Sequence, residues 1–218
     1  MDNLSFSFMG TSVSLVESIG AVVGIVYLIL EYRANRWLWL FGALMPLFYI
    51  FIFLQQKLYA NMALNVYYLG ASVYGAWCWW GRRETTDDAT PVDNTPVAMP
   101  GRLWWVLAAV ATGLTLLITV VLHLLGESHM AWLDGLTAAL SIVGMWMMAK
   151  KYYQQWLCWI VVEPIMLLLS LLSDLYPTAL MYVVYCVIAV LGYRRWRQLA
   201  LQAQPAPVDK HESKPAQP

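Results

Sequence analysis

An all-α membrane protein of seven transmembrane helices, two parallel three-helix repeats joined by one helix (3+1+3), is the fold class that the sequence predicts. Three observations carry it. Of 218 residues, 61% are hydrophobic and only 12% are charged, whereas a soluble domain carries about 25% charge. The apolar residues gather into seven runs long enough to cross a bilayer with some tilt. The chain also contains itself twice. YANMALNVYYLGASVYGAWCWW from Tyr59 lies against YPTALMYVVYCVIAVLGYRRW from Tyr176, with Val66 on Val183, Tyr68 on Tyr185, Gly75 on Gly192 and Trp79 on Trp196, all 117 residues apart. Glu17 and Asp134 share that spacing, and Met45-Pro46 faces Glu163-Pro164 at 118.

The spans are expected near 15–30, 37–54, 60–80, 103–125, 131–149, 156–172 and 177–193. The first and sixth are short or interrupted by polar residues. GRRETTDDATPVDNTPVAMPGR separates the third from the fourth and is a polar, proline-rich linker without helical period. The tail from Leu201 is low in complexity and reads as disordered. The expected organisation is a first repeat at 1–81, a cytoplasmic linker at 82–102, a linking helix at 103–125, a second repeat at 126–197 and a disordered cytoplasmic tail at 198–218. Residues 1–13 lack a basic stretch followed by a small-residue cleavage site, so no removable leader is read there.

Charge sets the orientation. Arg33 and Arg36, then Arg82, Arg83 and Arg102, then Lys150 and Lys151, and finally Arg194, Arg195 and Arg197 fall on one side of the membrane; the other side holds only Lys57. The positive-inside rule then places the N-terminus outside and the C-terminus in the cytoplasm. A three-helix unit ends on the side opposite its start, so a second copy following directly would be inverted. The fourth span carries the chain back, and both copies run the same way about a pseudo-twofold axis along the membrane normal. Repeats of membrane helices are a signature of secondary transporters, whose site lies between the copies.

Glu163 is the sharpest single residue. It stands near the middle of the sixth span, just before Pro164, where a charge costs roughly 2.5–3.5 kcal/mol on insertion scales. Trp159 and Trp156 precede it by one and two turns on the same face. A carboxylate beside an aromatic plane suits a flat organic cation; alternatively, Glu163 donates to the carbonyl that Pro164 leaves free. Pro46 and Pro164 each remove a backbone donor, either as static kinks or as paired hinges. Asn65, Tyr68 and Ser72 share one face of the third span, and Tyr182 and Tyr185 stand on the seventh. They are polar glue between helices or the hydrogen-bonding wall of a cavity.

Other features have simpler readings. Trp37, Trp39, Trp77, Trp79, Trp80, Trp104 and Trp105 fall at span ends and read as an interfacial aromatic belt. Cys78, Cys158 and Cys186 lie in apolar runs and read as small hydrophobes. Zero net charge argues against a nucleic-acid partner. No HExxH, Cys/His cluster or glycine-rich phosphate loop appears, and the last span lacks the lysine that a retinal protein needs. No cofactor is expected. A membrane enzyme would need a nucleophile–base or metal constellation, and a receptor or scaffold would need no midplane carboxylate beside proline.

The arrangement resembles the PnuC vitamin transporters, relatives of the SWEET sugar carriers. The resemblance spans about residues 15–197 and rests on LYANMALNVYYLGASVYGAWCWW, on AKKYYQQWLCW and on the single linking helix. Trp159 matches a tryptophan of the riboside-carrier pattern, and Asn65 stands where a glutamine is typical. Glu163 and Ser72 replace asparagines, and Met45 replaces the partner in the first copy. The resemblance implies a bacterial inner-membrane carrier of a small cationic vitamin, nicotinamide riboside first and thiamine second. It further implies facilitated diffusion by alternating access, trapping by a cytoplasmic vitamin kinase, and homotrimers in the lipid bilayer. Glu163, Trp159, Asn65, Tyr68, Ser72, Tyr182 and Tyr185 would then bind the substrate, and Pro46 and Pro164 would hinge.

Overall fold

A computed structural model describes residues 5–8, 11–55, 59–80, 95–125, 130–172 and 176–203. Lys57, Arg82, Arg83, His129 and His211, the linker run 81–94 and the tail beyond 203 lie outside the described residues. Seven helices form where the apolar runs predict them: α1 (Leu15–Tyr32), α2 (Leu38–Gln55), α3 (Tyr59–Trp80), α4 (Gly101–Leu125), α5 (Ala131–Ala149), α6 (Gln155–Leu172) and α7 (Tyr176–Gln202). At 1.5 Å per residue the shortest, 18 residues, is roughly 27 Å long, near the thickness of the hydrocarbon core. Among the described residues, four helices (α4 to α7) are long and apolar enough by composition alone to span. α7 continues past Arg197, where the tail was expected to begin.

One element goes unforeseen in the sequence. An antiparallel hairpin, β1 (Ser5–Phe8) and β2 (Thr11–Ser14), precedes α1 with Ser5 opposite Ser14 and Phe8 opposite Thr11. The alternating SFSF and TSVS runs have the two-residue period of a strand.

The repeat is visible in the backbone. α1 and α5 end in the same capping motif. Ala34 and Lys151, 117 residues apart, are the described non-glycine residues with positive φ, at 51° and 61°. The amide of Asn35 reaches the carbonyl of Leu30, and that of Tyr152 reaches Met147, at 2.8 and 3.0 Å. This is the Schellman pattern that satisfies last-turn carbonyls. The Asn35 side chain then accepts from the Trp37 amide at 3.0 Å and starts α2.

Consecutive helices pack within each repeat, α3 packs on α5, and α1 packs on α7. Those last two contacts are equivalent under the pseudo-twofold. α4 has no counterpart and no buried residue. It lies along α5, where a Cβ at Gly135 would overlap the Thr119 side chain and approach the Thr115 carbonyl. Met99, Val143 and Met147 form a small cluster at its start. There the linker end is bound to the α5–α6 turn, through Val97 to Lys151 and Tyr153 and through the Met99 amide to Gln154 Oε1 at 3.0 Å. The apolar residues that α4 exposes, Trp105, Leu116, Leu117 and Leu124 among them, are what a lipid-facing helix presents.

The main core sits at the end of the bundle that carries the basic residues. Trp39, Trp79, Trp156 and Trp196 are all buried there with Leu38 and Met148. Trp39 and Trp79 are therefore not belt residues. Trp37, Trp77, Trp80, Trp104 and Trp105 are exposed, as a belt requires. A one-dimensional pattern cannot separate the two roles, because both place tryptophan near a span end. Cation–π contacts ring the same end: Arg36 over Trp80, Lys150 over Tyr74, Lys151 over Trp79 and Arg195 over Tyr32.

Each half seats one tryptophan on a glycine. The six-membered ring of Trp39 lies where a Cβ of Gly75 would be, and Trp156 occupies that place at Gly192. Each ring meets the next tryptophan edge to face, Trp39 on Trp79 and Trp156 on Trp196, both at 5.9 Å. Overpacking such a seat costs about 1–3 kcal/mol. Gly75→Ala and Gly192→Ala should each lower the thermal midpoint of the detergent-solubilised protein by several degrees. Gly113→Ala, which meets open space, should leave it within a degree or so; fluorescence-detected melting reads all three.

Candidate functional site

The 117-residue spacing runs through the helix bounds of α2 and α6, so Pro46 stands at the repeat position of Glu163 and Pro164 at that of Leu47. The prolines are one residue, about 100° of helix rotation, out of equivalence. Pro46 is buried and Pro164 exposed. The pairing at 118 matches residue types, not backbone positions.

A cavity of about 230 Å³ opens beside Pro46. It is lined by Gly24 and Tyr27 of α1, Gly42 and Met45 of α2, Tyr68 and Ser72 of α3, and Met145 of α5. Tyr68 and Ser72 thus meet as their spacing predicts, with Ser72 buried. Asn65 lies two turns from Ser72 on α3, partly buried.

The second group of candidates gathers on α6 and α7. Tyr182 and Tyr185 meet edge to face at 5.8 Å. Both interact electrostatically with Glu163, and Tyr182 also with Tyr68. Tyr185 bridges the groups, since a Cβ on the cavity residue Gly24 would lie 3.3 Å from its hydroxyl. Glu163 is partly buried, and its Oε2 is buried without a hydrogen-bond partner. Trp159 packs over Gly144 of α5, while Trp156 is committed to its seat on Gly192.

The lining breaks the symmetry that the shell keeps. Tyr27 of α1 covers Gly42 of α2 in the first half; its ring lies 3.0 Å from a Cβ built there. At the same positions in the second half the order is exchanged, with Gly144 on α5 and Trp159 on α6. Gly42 and Tyr27 line the cavity in the first half, and in the second Trp159 packs over Gly144.

Two site residues escaped the sequence reading. Glu31, in the last turn of α1, is 3% exposed, and Gln155, at the start of α6, is fully buried. Gln155 Nε2 donates to Glu31 Oε1 at 3.1 Å, and the Trp159 indole N–H donates to Gln155 Oε1. A signal was present. An acidic residue in the last turn opposes the helix dipole, and the repeat mates of Glu31 and Gln155 are the apolar Met148 and Leu38.

A seven-helix bundle of two like-oriented triplets, with an aromatic-walled cavity among its helices and a carboxyl oxygen buried in an apolar helix nearby, defines a membrane carrier for a small organic molecule. The family model described as nicotinamide mononucleotide transporter matches residues 14–198, and the chain belongs to that family of transporters. It is 25% identical over 210 residues to the nicotinamide riboside transporter PnuC of Escherichia coli (strain K12), covering 86% of this chain and 87% of that one. It is 30% identical over 195 residues to the PnuC of Neisseria mucosa, covering 85% and 73%. It is 24% identical over 187 residues to the riboflavin/roseoflavin transporter RibM of Streptomyces davaonensis, covering 83% of each. A crystal structure of the vitamin B3 transporter PnuC superimposes with a TM-score of 0.67 at 28% identity, covering 86% of this chain and 82% of that chain.

Filling the cavity tests its importance. A side chain at Gly42 must enter the space between the Tyr27 ring and Ser72 Oγ. Gly42→Val should cut substrate uptake by proteoliposomes at least about tenfold with the protein still monodisperse. Gly70→Val, on an exposed face of α3, should leave uptake unchanged.

Proposed function

We propose that this protein carries nicotinamide riboside across the bacterial inner membrane by facilitated diffusion, with a cytoplasmic kinase trapping the product. The observation that carries this reading is the buried, unpartnered Glu163 Oε2 one helical turn from Trp159. A carboxylate cannot remain uncompensated in a low-dielectric interior without large cost, and a ring cation stacked on the indole would compensate it. Glu163 neutralises the pyridinium, and Trp159 offers the stacking face. Asn65, Tyr68, Ser72, Tyr182 and Tyr185 supply hydrogen bonds to the ribose. The PnuC relatives are nicotinamide riboside transporters, which favours the riboside.

Transport proceeds by alternating access, the two triplets rocking about the site with Pro46 and Pro164 as hinges. The described basic residues gather at one end of the bundle, which supports an external N-terminus and a cytoplasmic C-terminus. The unburied α4 surface offers a face to lipid and to the other members of a homotrimer. Thiamine is the second reading, because it too presents a ring cation and Glu163 stands where the riboside pattern has an asparagine.

Protein-only liposomes should take up labelled nicotinamide riboside to equilibrium and should accumulate it once riboside kinase and ATP are enclosed. Titration calorimetry on purified protein should show Glu163→Gln weakening binding at least about tenfold, with Tyr74→Phe unchanged. Equal affinities would remove the role of Glu163, and tighter binding of thiamine than of the riboside would select the second reading.

A further inference from the structure

We infer that Glu31 is a positioning residue for the aromatic face of Trp159, acting across the repeat interface through Gln155. The inference rests on the reading of Trp159 as the stacking surface. An indole N–H only donates, so Gln155 must turn its carbonyl oxygen towards Trp159. Its amide NH₂ then points the other way and needs an acceptor, which Glu31 Oε1 supplies at 3.1 Å. The chemistry of Trp159 thus fixes the orientation of the amide and the residue type beyond it. Glu31 is itself held, since its backbone carbonyl accepts the Trp196 indole N–H at 3.0 Å.

The repeat supplies an internal control. The mates of Glu31 and Gln155 are Met148 and Leu38, both fully buried, so this corner of the shell packs without a carboxyl or an amide side chain, and Met148 Sδ takes only the Tyr27 hydroxyl at 3.8 Å. A buried carboxyl and amide are seldom more stable there than an apolar pair. The mate of Trp159 is Gly42, which has no ring to orient. The polar pair occurs in the half that has an indole N–H to hold and is absent from the half that has none. Packing alone does not account for that difference; orientation of the ring does.

The test uses full-length protein in lipid nanodiscs with ¹⁵N-labelled tryptophan. The Trp159 indole resonance is assigned by its loss in Trp159→Phe. Glu31→Met, which copies the second half, should move that resonance by more than its line width, and Glu31→Gln, which keeps an acceptor and removes the charge, should not. Calorimetry with nicotinamide riboside should show Glu31→Met weakening binding on the order of tenfold in the native background and less than about twofold when Trp159 is already Phe. An unmoved indole resonance in Glu31→Met overturns the inference, as does an equal loss in both backgrounds. Equal effects of Glu31→Met and Glu31→Gln would do so too, because they would assign the effect to charge. Absence of any riboside binding by the native protein would refute the proposed substrate, and the indole resonance would still decide the role of Glu31. If Glu31→Met does not fold, Gln155→Leu, which copies Leu38, reads the same resonance with the same outcomes.

Discussion

The structure depends on a reciprocal exchange of hydrogen bonds between its halves. The Trp79 indole of the first repeat donates to the carbonyls of Met148 and Ala149 in the second, at 3.3 and 3.2 Å. The Trp196 indole of the second donates to the carbonyl of Glu31 in the first, at 3.0 Å. Met148 and Glu31 are 117 residues apart, as are the tryptophans. Each indole reaches the last turn of the other half's first helix. There the carbonyls of Glu31 and Met148 already accept from the amides of Ala34 and Lys151 at 2.9 Å, and the indole brings a second donor to each. Each half therefore holds the other, and the rings of Trp79 and Trp196 meet at 6.3 Å between the two bonds.

From that junction the fold divides into a symmetric shell and an asymmetric lining. The shell repeats its Schellman ends, its glycine seats and its buried tryptophans. The lining exchanges partners, with Tyr27 over Gly42 on one side and Trp159 over Gly144 on the other. At one corner the shell breaks symmetry too, with Gln155 and Glu31 where the other half has Leu38 and Met148. A twofold along the membrane normal relates the two halves of the bundle and leaves its two membrane faces distinct. Asymmetry inside the same shell would serve recognition of the proposed substrate, because one ring and one polar end need two unlike walls.

The shell was legible in the sequence; of the lining, only Tyr68 and Ser72 were. Tryptophan after glycine at a fixed offset repeats along the chain, so Gly75-Trp79 and Gly192-Trp196 show themselves without coordinates. The burial of Trp39 and Trp79 does not, since a tryptophan near a span end looks alike whether it turns to the headgroups or to the core. Glu163 was legible because a carboxyl amid apolar residues has few bland explanations. Glu31 was hidden by the basic loop that follows it, where an acid reads as interfacial. The proline pairing misled because Pro is a conspicuous residue, and a match of conspicuous residues at 118 competed with a backbone that counts 117.

The cavity's place along the membrane bears on the proposed cycle. Its walls come from the middle of α1 and α3 and from the first half of α2, and the four buried tryptophans stand between it and the end bearing the basic residues. In the proposed cycle, a substrate leaving by that end would part the indoles from their carbonyls. Each such bond contributes about 1 kcal/mol net, and the Glu31 and Met148 carbonyls keep their amide donors when the indoles part. The total is a few kcal/mol, within what differential binding of a small ligand can offset. In the proposed cycle a tie of that size would hold the end shut without a ligand and yield when one is bound, which is the balance that the proposed uncoupled carrier requires. A larger apolar lock in place of the two hydrogen bonds would close the end as well but would demand more of the substrate than its few contacts can return.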